Sequence, residues 1–179
     1  MDGRIVIVTG PPGAGKTTLA RRLALTSPRA RAVHMHTDDF YGAIRKGYIA
    51  PWLPDSNDQN ATVTRAIAAA ARAYAEGGYD VILDGIVGLW FLEIYKDACR
   101  DAEIPLHYVF LKPDKAIAMA RARNRKDAPI ADYPPKLYEQ LIDLGALGAH
   151  AFDSGALSEE ETARYVRDGL ETGLFALAP

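Results

Sequence analysis

Residues 10–17 read Gly10-Pro11-Pro12-Gly13-Ala14-Gly15-Lys16-Thr17, and this stretch decides the fold class. It satisfies the full pattern of a phosphate-binding loop, or P-loop, in which two glycines frame four residues and Lys and Thr follow. The apolar, β-branched run at 5–8 before it is typical of a strand buried on both faces of a parallel sheet. Residues 16–25 after it place their apolar side chains on one face of a helix. The strand, the loop and the helix therefore stand in the order that a P-loop requires.

The P-loop pattern predicts binding of ATP together with Mg²⁺. Its glycines let successive backbone N–H groups point into one concavity, and the following helix adds the positive end of its dipole. We expect Lys16 to reach the β- and γ-phosphates and the hydroxyl of Thr17 to ligate Mg²⁺. The predicted nucleotide-binding residues are Gly10, Pro11, Pro12, Gly13, Ala14, Gly15, Lys16, Thr17 and Thr18.

The length and composition limit the classes of protein that fit. A chain of 179 residues with a net charge of −2 fits one domain over residues 1–179 and gives no basic surface for nucleic acid. The single cysteine, Cys99, cannot form an internal disulfide and is predicted to be a packing residue. The longest apolar stretch, 81–92, contains Asp84 and is shorter than the roughly 20 residues of a membrane helix. No secretory signal begins the sequence. We therefore expect a cytoplasmic protein that binds neither nucleic acid nor a membrane; the sequence does not predict its oligomeric state.

Short apolar runs alternate with helical patterns along the rest of the chain. Strands are predicted at 32–36, 79–83 and 106–111, and helices at 62–76, 89–102 and after the capping box that begins at Ser158. This alternation predicts a three-layer, doubly wound α/β fold that binds ligands at the carboxyl ends of its strands. Two irregular stretches, rich in Pro with aromatics or Arg, lie at 38–60 and 123–135, and long connections of this kind are usually functional.

Three segments together resemble the small P-loop phosphotransferases, namely the P-loop, Thr37-Asp38-Asp39-Phe40 and Ile82-Leu83-Asp84-Gly85. These proteins include nucleotide kinases, shikimate and gluconate kinases, and the chloramphenicol phosphotransferase group. The resemblance implies a five-stranded parallel sheet in the order 2-3-1-4-5. It also implies an acceptor region at about 38–60 and an arginine-bearing lid at about 121–135. The implied activity is transfer of the γ-phosphate of ATP to a hydroxyl of a small molecule, such as an antibiotic, sugar or metabolite.

Two carboxylates follow the second predicted strand. Asp38 and Asp39 lie at its carboxyl end, on the edge of the sheet that carries the P-loop. A hydroxyl acceptor needs a carboxylate there to orient it and to accept its proton. The resemblance aligns Asp38 with the catalytic position and leaves Asp39 as the second candidate. A helix cap or turn is the structural alternative for this pair. Two kinases of this kind carry an aspartate where this chain has His36, so the arrangement around the metal is expected to differ.

A further carboxylate and two arginines complete the predicted site. Asp84 ends an apolar strand before Gly85, where P-loop enzymes place an acidic group near Mg²⁺, and we expect it to act through water. A simple Asp-Gly turn is the alternative. Arg121 and Arg125 are spaced i,i+4, so both can supply guanidinium groups to the transferred phosphoryl group if a helix continues through them. A solvated basic end of a helix is the alternative for the arginines.

The acceptor region is rich in aromatic residues between positions 40 and 53, which indicates a partly apolar pocket; packing within a helix pair is the alternative. Adenylate kinase-like sequences carry an arginine just after Asp-Gly, whereas this chain has Ile86-Val87-Gly88. That difference favours an uncharged acceptor over a nucleoside monophosphate. A nucleotide kinase, a polynucleotide-end kinase and a non-enzymatic nucleotide switch remain alternative functions. His34 and His36 alternate along a strand, and packing or acceptor contact fits them better than zinc.

Overall fold

The computed structural model describes residues 3–124, 139 and 141–178. The strands are β1 (Arg4–Thr9), β2 (Ala32–His36), β3 (Asp80–Asp84), β4 (Leu106–Leu111) and β5 (Ala151–Phe152). The helices are α1 (Lys16–Leu25), α2 (Thr37–Gly42), α3 (Asn57–Glu76), α4 (Leu89–Arg100), α5 (Lys115–Arg123) and α6 (Glu159–Thr172). Within this part of the chain, no helix has the length and apolar character needed to cross a membrane.

The five strands form one sheet in the order β2-β3-β1-β4-β5, and neighbouring strands are parallel throughout. This confirms the predicted fold class and strand order. Parallel neighbours need crossover connections, and α1, α3, α4 and α6 supply apolar faces that cover the sheet. Side chains alternate along a strand, so Ile5 and Ile7 pack with α3 and α4, while Val6 and Val8 pack with α1 and α6. The central strand is therefore buried on both faces, as its composition predicts.

The helix after the aromatic segment begins earlier than the sequence pattern predicts. Helix α3 starts at Asn57, because the 3-10 turn Pro54–Ser56 leads into it, and it ends at Glu76 before two glycines as expected. The prediction also treated the whole of 38–60 as irregular, whereas its first residues form the short helix α2. The acceptor region is therefore more ordered than its proline content indicates.

A capping box fixes the start of the last helix, α6. Ser158 accepts a hydrogen bond from the backbone of Glu161, and the Glu161 carboxylate accepts one from the backbone of Ser158. This is the predicted capping box, which satisfies two N–H groups that a helix start otherwise leaves without partners. Helix α6 packs against α1, and Arg22 of α1 forms an ion pair with Glu160 of α6.

Candidate active site

Three strand ends meet at one edge of the sheet. Strands β2, β3 and β1 are parallel neighbours, and His36 and Val8 both pair with Asp84 in register. Consequently the P-loop after β1, helix α2 after β2 and Asp84 at the end of β3 lie side by side. The sequence separates these segments by up to 70 residues or so, and the sheet order brings them together.

The P-loop has the backbone that its glycines permit. Gly13 and Gly15 have φ values of 78° and 92°, in the left-handed region where other residues are strained. A Cβ atom on Gly13 would lie 2.0 Å from the carbonyl oxygen of Ala118, so a larger residue cannot fit there. The Nζ atom of Lys16 donates to the carbonyl oxygen of Pro11 at 3.1 Å. The loop is thus shaped as a concavity with a lysine at its edge.

A cavity of about 380 Å³, here called the nucleotide cavity, opens from the P-loop. Its walls come from the P-loop and α1, from Leu111 and Arg121, and from the start of α6 and the segment before it. Six of the predicted nucleotide-binding residues line it, namely Gly13, Ala14, Gly15, Lys16, Thr17 and Thr18. Gly10, Pro11 and Pro12 are buried and do not line it. At the far wall, Ser154 is buried, and its hydroxyl has no hydrogen-bond partner within the described residues.

Asp84 is the most enclosed charged group of the site. Its side chain is fully buried, and its Oδ2 atom accepts a hydrogen bond of 2.7 Å from the hydroxyl of Thr17. Its Oδ1 atom accepts one of 2.5 Å from Nε2 of His34, and Nδ1 of His36 lies 3.1 Å from both oxygens. Burial alone would raise the pKa of Asp84, but the hydrogen bonds from His34, His36 and Thr17 lower that pKa well below its usual range. Asp84 is therefore a fixed carboxylate anion beside the P-loop.

His36 joins Asp84 to a second carboxylate. Its Nε2 atom lies 3.4 Å from Oδ2 of Asp38, whose side chain is 77% exposed. The contacts with Asp38 and then Asp84 raise the pKa of His36 to about 10, so the imidazole is protonated at neutral pH and can donate from both ring nitrogens. The contact with His36, and then the charge of Lys16, lower the pKa of Asp38 below its ordinary value. Asp38 is thus an ionised carboxylate open to solvent on the P-loop side of α2.

A second cavity, here called the acceptor cavity, lies beside α2 and has a volume of about 520 Å³. Its lining residues are Asp38, Tyr41, Gly42, Ile44, Tyr48, Pro51 and Trp52. Asp39 is exposed and is not among them. Among the described residues, none lines both this cavity and the nucleotide cavity. The structure therefore places Asp38, and not Asp39, in the wall of the acceptor cavity.

The donor set near the P-loop suits Mg²⁺ bound together with nucleotide phosphates. Thr17 and Asp84 offer a hydroxyl and a carboxylate oxygen, which are hard ligands of the type Mg²⁺ prefers. No group of three or more His, Cys, Asp and Glu side chains in the described part of the chain could hold a metal ion without further ligands. Mg²⁺ commonly takes one or two protein oxygens and completes its shell with water and phosphate oxygens, so these two residues fit that role.

The lid prediction can be followed for one of its two arginines. Arg121 lines the nucleotide cavity, and its Nη2 atom donates to the carbonyl oxygen of Gly155 at 3.3 Å. Helix α5 ends at Arg123, and Arg125 lies outside the described residues. Arg121 therefore lies in the wall of the nucleotide cavity, where its side chain connects α5 to the segment before α6.

Comparison with known proteins identifies the family of the chain. The sequence model of a family described as AAA domain matches residues 5–137, which cover every part of the P-loop edge described above. The chain belongs to this AAA domain family. No curated protein matches this AAA domain protein in sequence.

Solved structures similar to this AAA domain protein share its fold. A gluconokinase from Sinorhizobium meliloti 1021 is 16% identical with a TM-score of 0.70, and the match covers 96% of this chain and 94% of that one. A sugar kinase from Janibacter sp. HTCC2649 is 19% identical, with a TM-score of 0.67 and coverage of 94% and 95%. The Mycobacterium tuberculosis APS kinase CysC, solved with AMPPNP and APS, is 21% identical, with a TM-score of 0.65 and coverage of 95% and 98%. The AAA domain protein thus has the fold of the small P-loop kinases over nearly its whole length.

Sequence reasoning missed the parts of the site that depend on pairing between strands. It gave His34 and His36 no specific partner, yet both imidazoles hold Asp84. Their alternation along β2 was the available signal, because it places both side chains on one face beside the end of β3. Ser154 gave no such signal, since only the folded chain brings it to the wall of the nucleotide cavity.

Proposed function

We propose that this protein is an ATP-dependent kinase that transfers the γ-phosphate of ATP to a hydroxyl group of a small molecule. The observation that supports this proposal best is the position of Asp38. Its carboxylate lines the acceptor cavity, lies close enough to Lys16 for the lysine charge to lower its pKa, and contacts His36. A carboxylate between a phosphate-binding lysine and a separate cavity has the position that a group orienting an attacking hydroxyl needs.

The nucleotide would lie along the cavity that begins at the P-loop. The backbone N–H groups of the loop and the ammonium of Lys16 would hold the β- and γ-phosphates, and Arg121 would add a guanidinium from the wall. The remaining length of the cavity, up to Ser154 and Leu157, would receive the nucleoside. Thr17 and Asp84 would hold Mg²⁺, which when bound neutralises charge on the β- and γ-phosphate oxygens.

The transfer itself would require a hydroxyl placed beside Asp38. The hydroxyl oxygen forms a bond to the γ-phosphorus, the bond from that phosphorus to the β,γ-bridging oxygen breaks, and ADP leaves. The hydroxyl proton passes to the carboxylate of Asp38. His36 would keep this carboxylate turned towards the P-loop, and Asp84 would anchor His36 in turn. Because phosphoryl transfer depends mainly on positioning and charge, these contacts account for most of what the chain must supply.

The test is ADP release from Mg-ATP in the presence of panels of sugars, nucleosides and hydroxyl-bearing antibiotics. The proposal expects at least one neutral hydroxyl compound to raise ADP release well above the rate with water alone, with a phosphorylated product of matching mass. If the basal rate stays unchanged across the panels while ATP binds tightly, a nucleotide switch is the better explanation. If only nucleoside monophosphates or RNA ends stimulate ADP release, the small-molecule assignment is wrong.

A further inference from the structure

The acceptor cavity is lined by one acidic side chain and, among the described residues, by no basic one. Among its described lining residues, Asp38 is the single charged side chain, and Arg45 and Lys46 on the same segment are exposed and do not line it. The surroundings of the Tyr41 phenol also disfavour negative charge. Burial, and then the charge of Asp38, raise the pKa of Tyr41 to about 12. A phosphate, sulfate or carboxylate on the acceptor would have to lie close to Asp38, with no guanidinium or ammonium from the described lining to pair with it.

The rim of the same cavity presents two aromatic rings to solvent. Trp52 is 61% exposed and Tyr48 is 50% exposed. Large apolar side chains held at a surface beside a cavity commonly mark a binding site. Here the exposed indole and phenol offer flat faces on which a ring, or the C–H face of a sugar, can stack.

The backbone that carries these rings is fixed by side chains of α3 and the turn before it. Gln59 donates to the carbonyl oxygen of Ile49 at 2.6 Å and accepts from its N–H at 2.8 Å. Asn60 and Ser56 both donate to the carbonyl oxygen of Pro51 at 2.8 Å, and both residues are buried. Buried polar groups at a helix start thus hold the segment between Tyr48 and Trp52 in one conformation. A segment held this way presents its rings at little cost in conformational entropy on binding.

We propose that the acceptor is a hydroxyl compound without a negatively charged group that carries a ring with an apolar face, and that this face stacks on Trp52 while the hydroxyl meets Asp38. This inference rests on the proposed kinase function and narrows its substrate class. It excludes acidic acceptors such as sugar acids, sugar phosphates and nucleotides, because these compounds need cations in the cavity.

The test uses a Trp90→Phe variant, in which Trp52 is the single tryptophan, since the chain has two. Its fluorescence is titrated, with Mg-AMPPNP present, against pairs of probes that share a ring and differ in charge. The pairs are thymidine and thymidine monophosphate, glucose and glucuronate, and glucosamine and glucosamine 6-phosphate. We expect a saturable change with at least one neutral or cationic probe, and binding roughly 10-fold or more tighter than that of its anionic partner. Equal or tighter binding of the anionic partner overturns the inference. A tryptophan fluorescence that stays the same with every probe also overturns it.

Matched substitutions on one segment test the role of Trp52. Because replacing Trp52 removes the fluorescent ring, binding to these variants is measured by titration calorimetry. Trp52→Ala should weaken binding of the preferred probe by roughly 10-fold, and Trp52→Phe should retain most of it, because a phenyl face can still stack on the ligand. Leu53→Ala is the control, since Leu53 is 47% exposed on the same segment but does not line the cavity. If Leu53→Ala and Trp52→Ala weaken binding equally, stacking is not the cause.

Failure of this inference can be told apart from failure of the proposed function. Selective binding of the neutral probes without any phosphorylated product would contradict the kinase function and leave the binding class intact. Phosphorylation of an anionic probe in preference to its neutral partner would leave the kinase function intact and overturn the binding class.

Discussion

The hydroxyl of Thr17 donates a hydrogen bond of 2.7 Å to the carboxylate of Asp84, which joins the start of α1 to the end of β3. Both residues offer oxygen ligands for Mg²⁺, and Asp84 is held in place by two histidines. We expect Asp84→Asn to raise the Mg²⁺ concentration needed for half-maximal activity by at least ~10-fold, because loss of one charged ligand or its support typically costs 10- to 100-fold in metal affinity. A Mg²⁺ titration of ADP release checks this. An unchanged Mg²⁺ requirement would show that Asp84 is a structural anchor for the histidines alone.

Asp38 is predicted to act on the acceptor and not on ATP. Asp38→Asn keeps the size of the side chain but cannot take up a proton, so kcat should fall by about 10²- to 10⁴-fold while binding of Mg-ATP is retained. The fall should lie near the lower end if the carboxylate works chiefly by orienting the hydroxyl.

Asp39→Asn is the matched control for Asp38. Asp39 lies on the same helix, is exposed and does not line the acceptor cavity. Steady-state kinetics of both variants with an active acceptor decide the assignment. Loss of transfer in Asp39→Asn with an active Asp38→Asn would reverse it, and full activity in both would refute hydroxyl activation by this pair.

Lys16→Ala should abolish turnover and weaken ATP binding, because it removes the P-loop cation that lines the nucleotide cavity. ADP release and binding of a fluorescent ATP analogue measure the two effects. Lys96→Ala is a suitable control, since Lys96 lies on α4, where it pairs with Glu93 at 3.1 Å. Normal ADP production by Lys16→Ala would contradict the kinase function altogether.

Arg121→Ala and Arg125→Ala test the predicted role of the lid. If either guanidinium stabilises charge on the transferred phosphoryl group, its removal should lower kcat by on the order of 10³-fold with a much smaller change in the KM for ATP. The contact of Arg121 with the carbonyl oxygen of Gly155 allows a different outcome, in which Arg121→Ala mainly raises the KM for ATP. Single-turnover and steady-state measurements separate the two. Full kcat in both variants would make these arginines surface charges.

His107 should make the stability of the fold depend on pH. It is buried on β4, and burial followed by the charge of Arg4 lowers its pKa to about 4, from an ordinary value of about 6.5. Between these two values the unfolded chain binds a proton that the folded chain does not, so stability is complete above about pH 6.5 and falls as the pH drops towards 4. His107→Gln removes this proton. Urea unfolding of both proteins across this range should give a shallower pH slope for the variant, and equal slopes would contradict the prediction.

The sequence predicted those features whose signals are local. The predicted bounds of α1, β2 and β4 match the structure because a helical apolar stripe marks α1 and short runs rich in apolar residues mark the two strands, and the capping box at Ser158 marks the start of α6. The predicted start of α3 was wrong because a 3-10 turn precedes the helix and lets it begin earlier. The hydroxyl of Ser56 and the side-chain amide of Asn60 donate hydrogen bonds that stabilise this turn. The contacts of Asp84 with His34 and His36 arise from strand pairing over about 50 residues of sequence, which periodicity along one strand does not specify. Arg125 stays a prediction, since it lies outside the described residues.

The two cavities share no lining residue in the part of the chain that the structure describes, and this separation has a consequence for how such proteins diverge. Under the proposed kinase function, replacements between Tyr41 and Trp52 would alter the preferred acceptor while leaving the P-loop unchanged. A library of variants confined to that segment can therefore be screened for new acceptors at constant ATP affinity. After gene duplication, changes confined to this short segment would give one copy a new phosphorylation target. The residues that line the nucleotide cavity would stay the same.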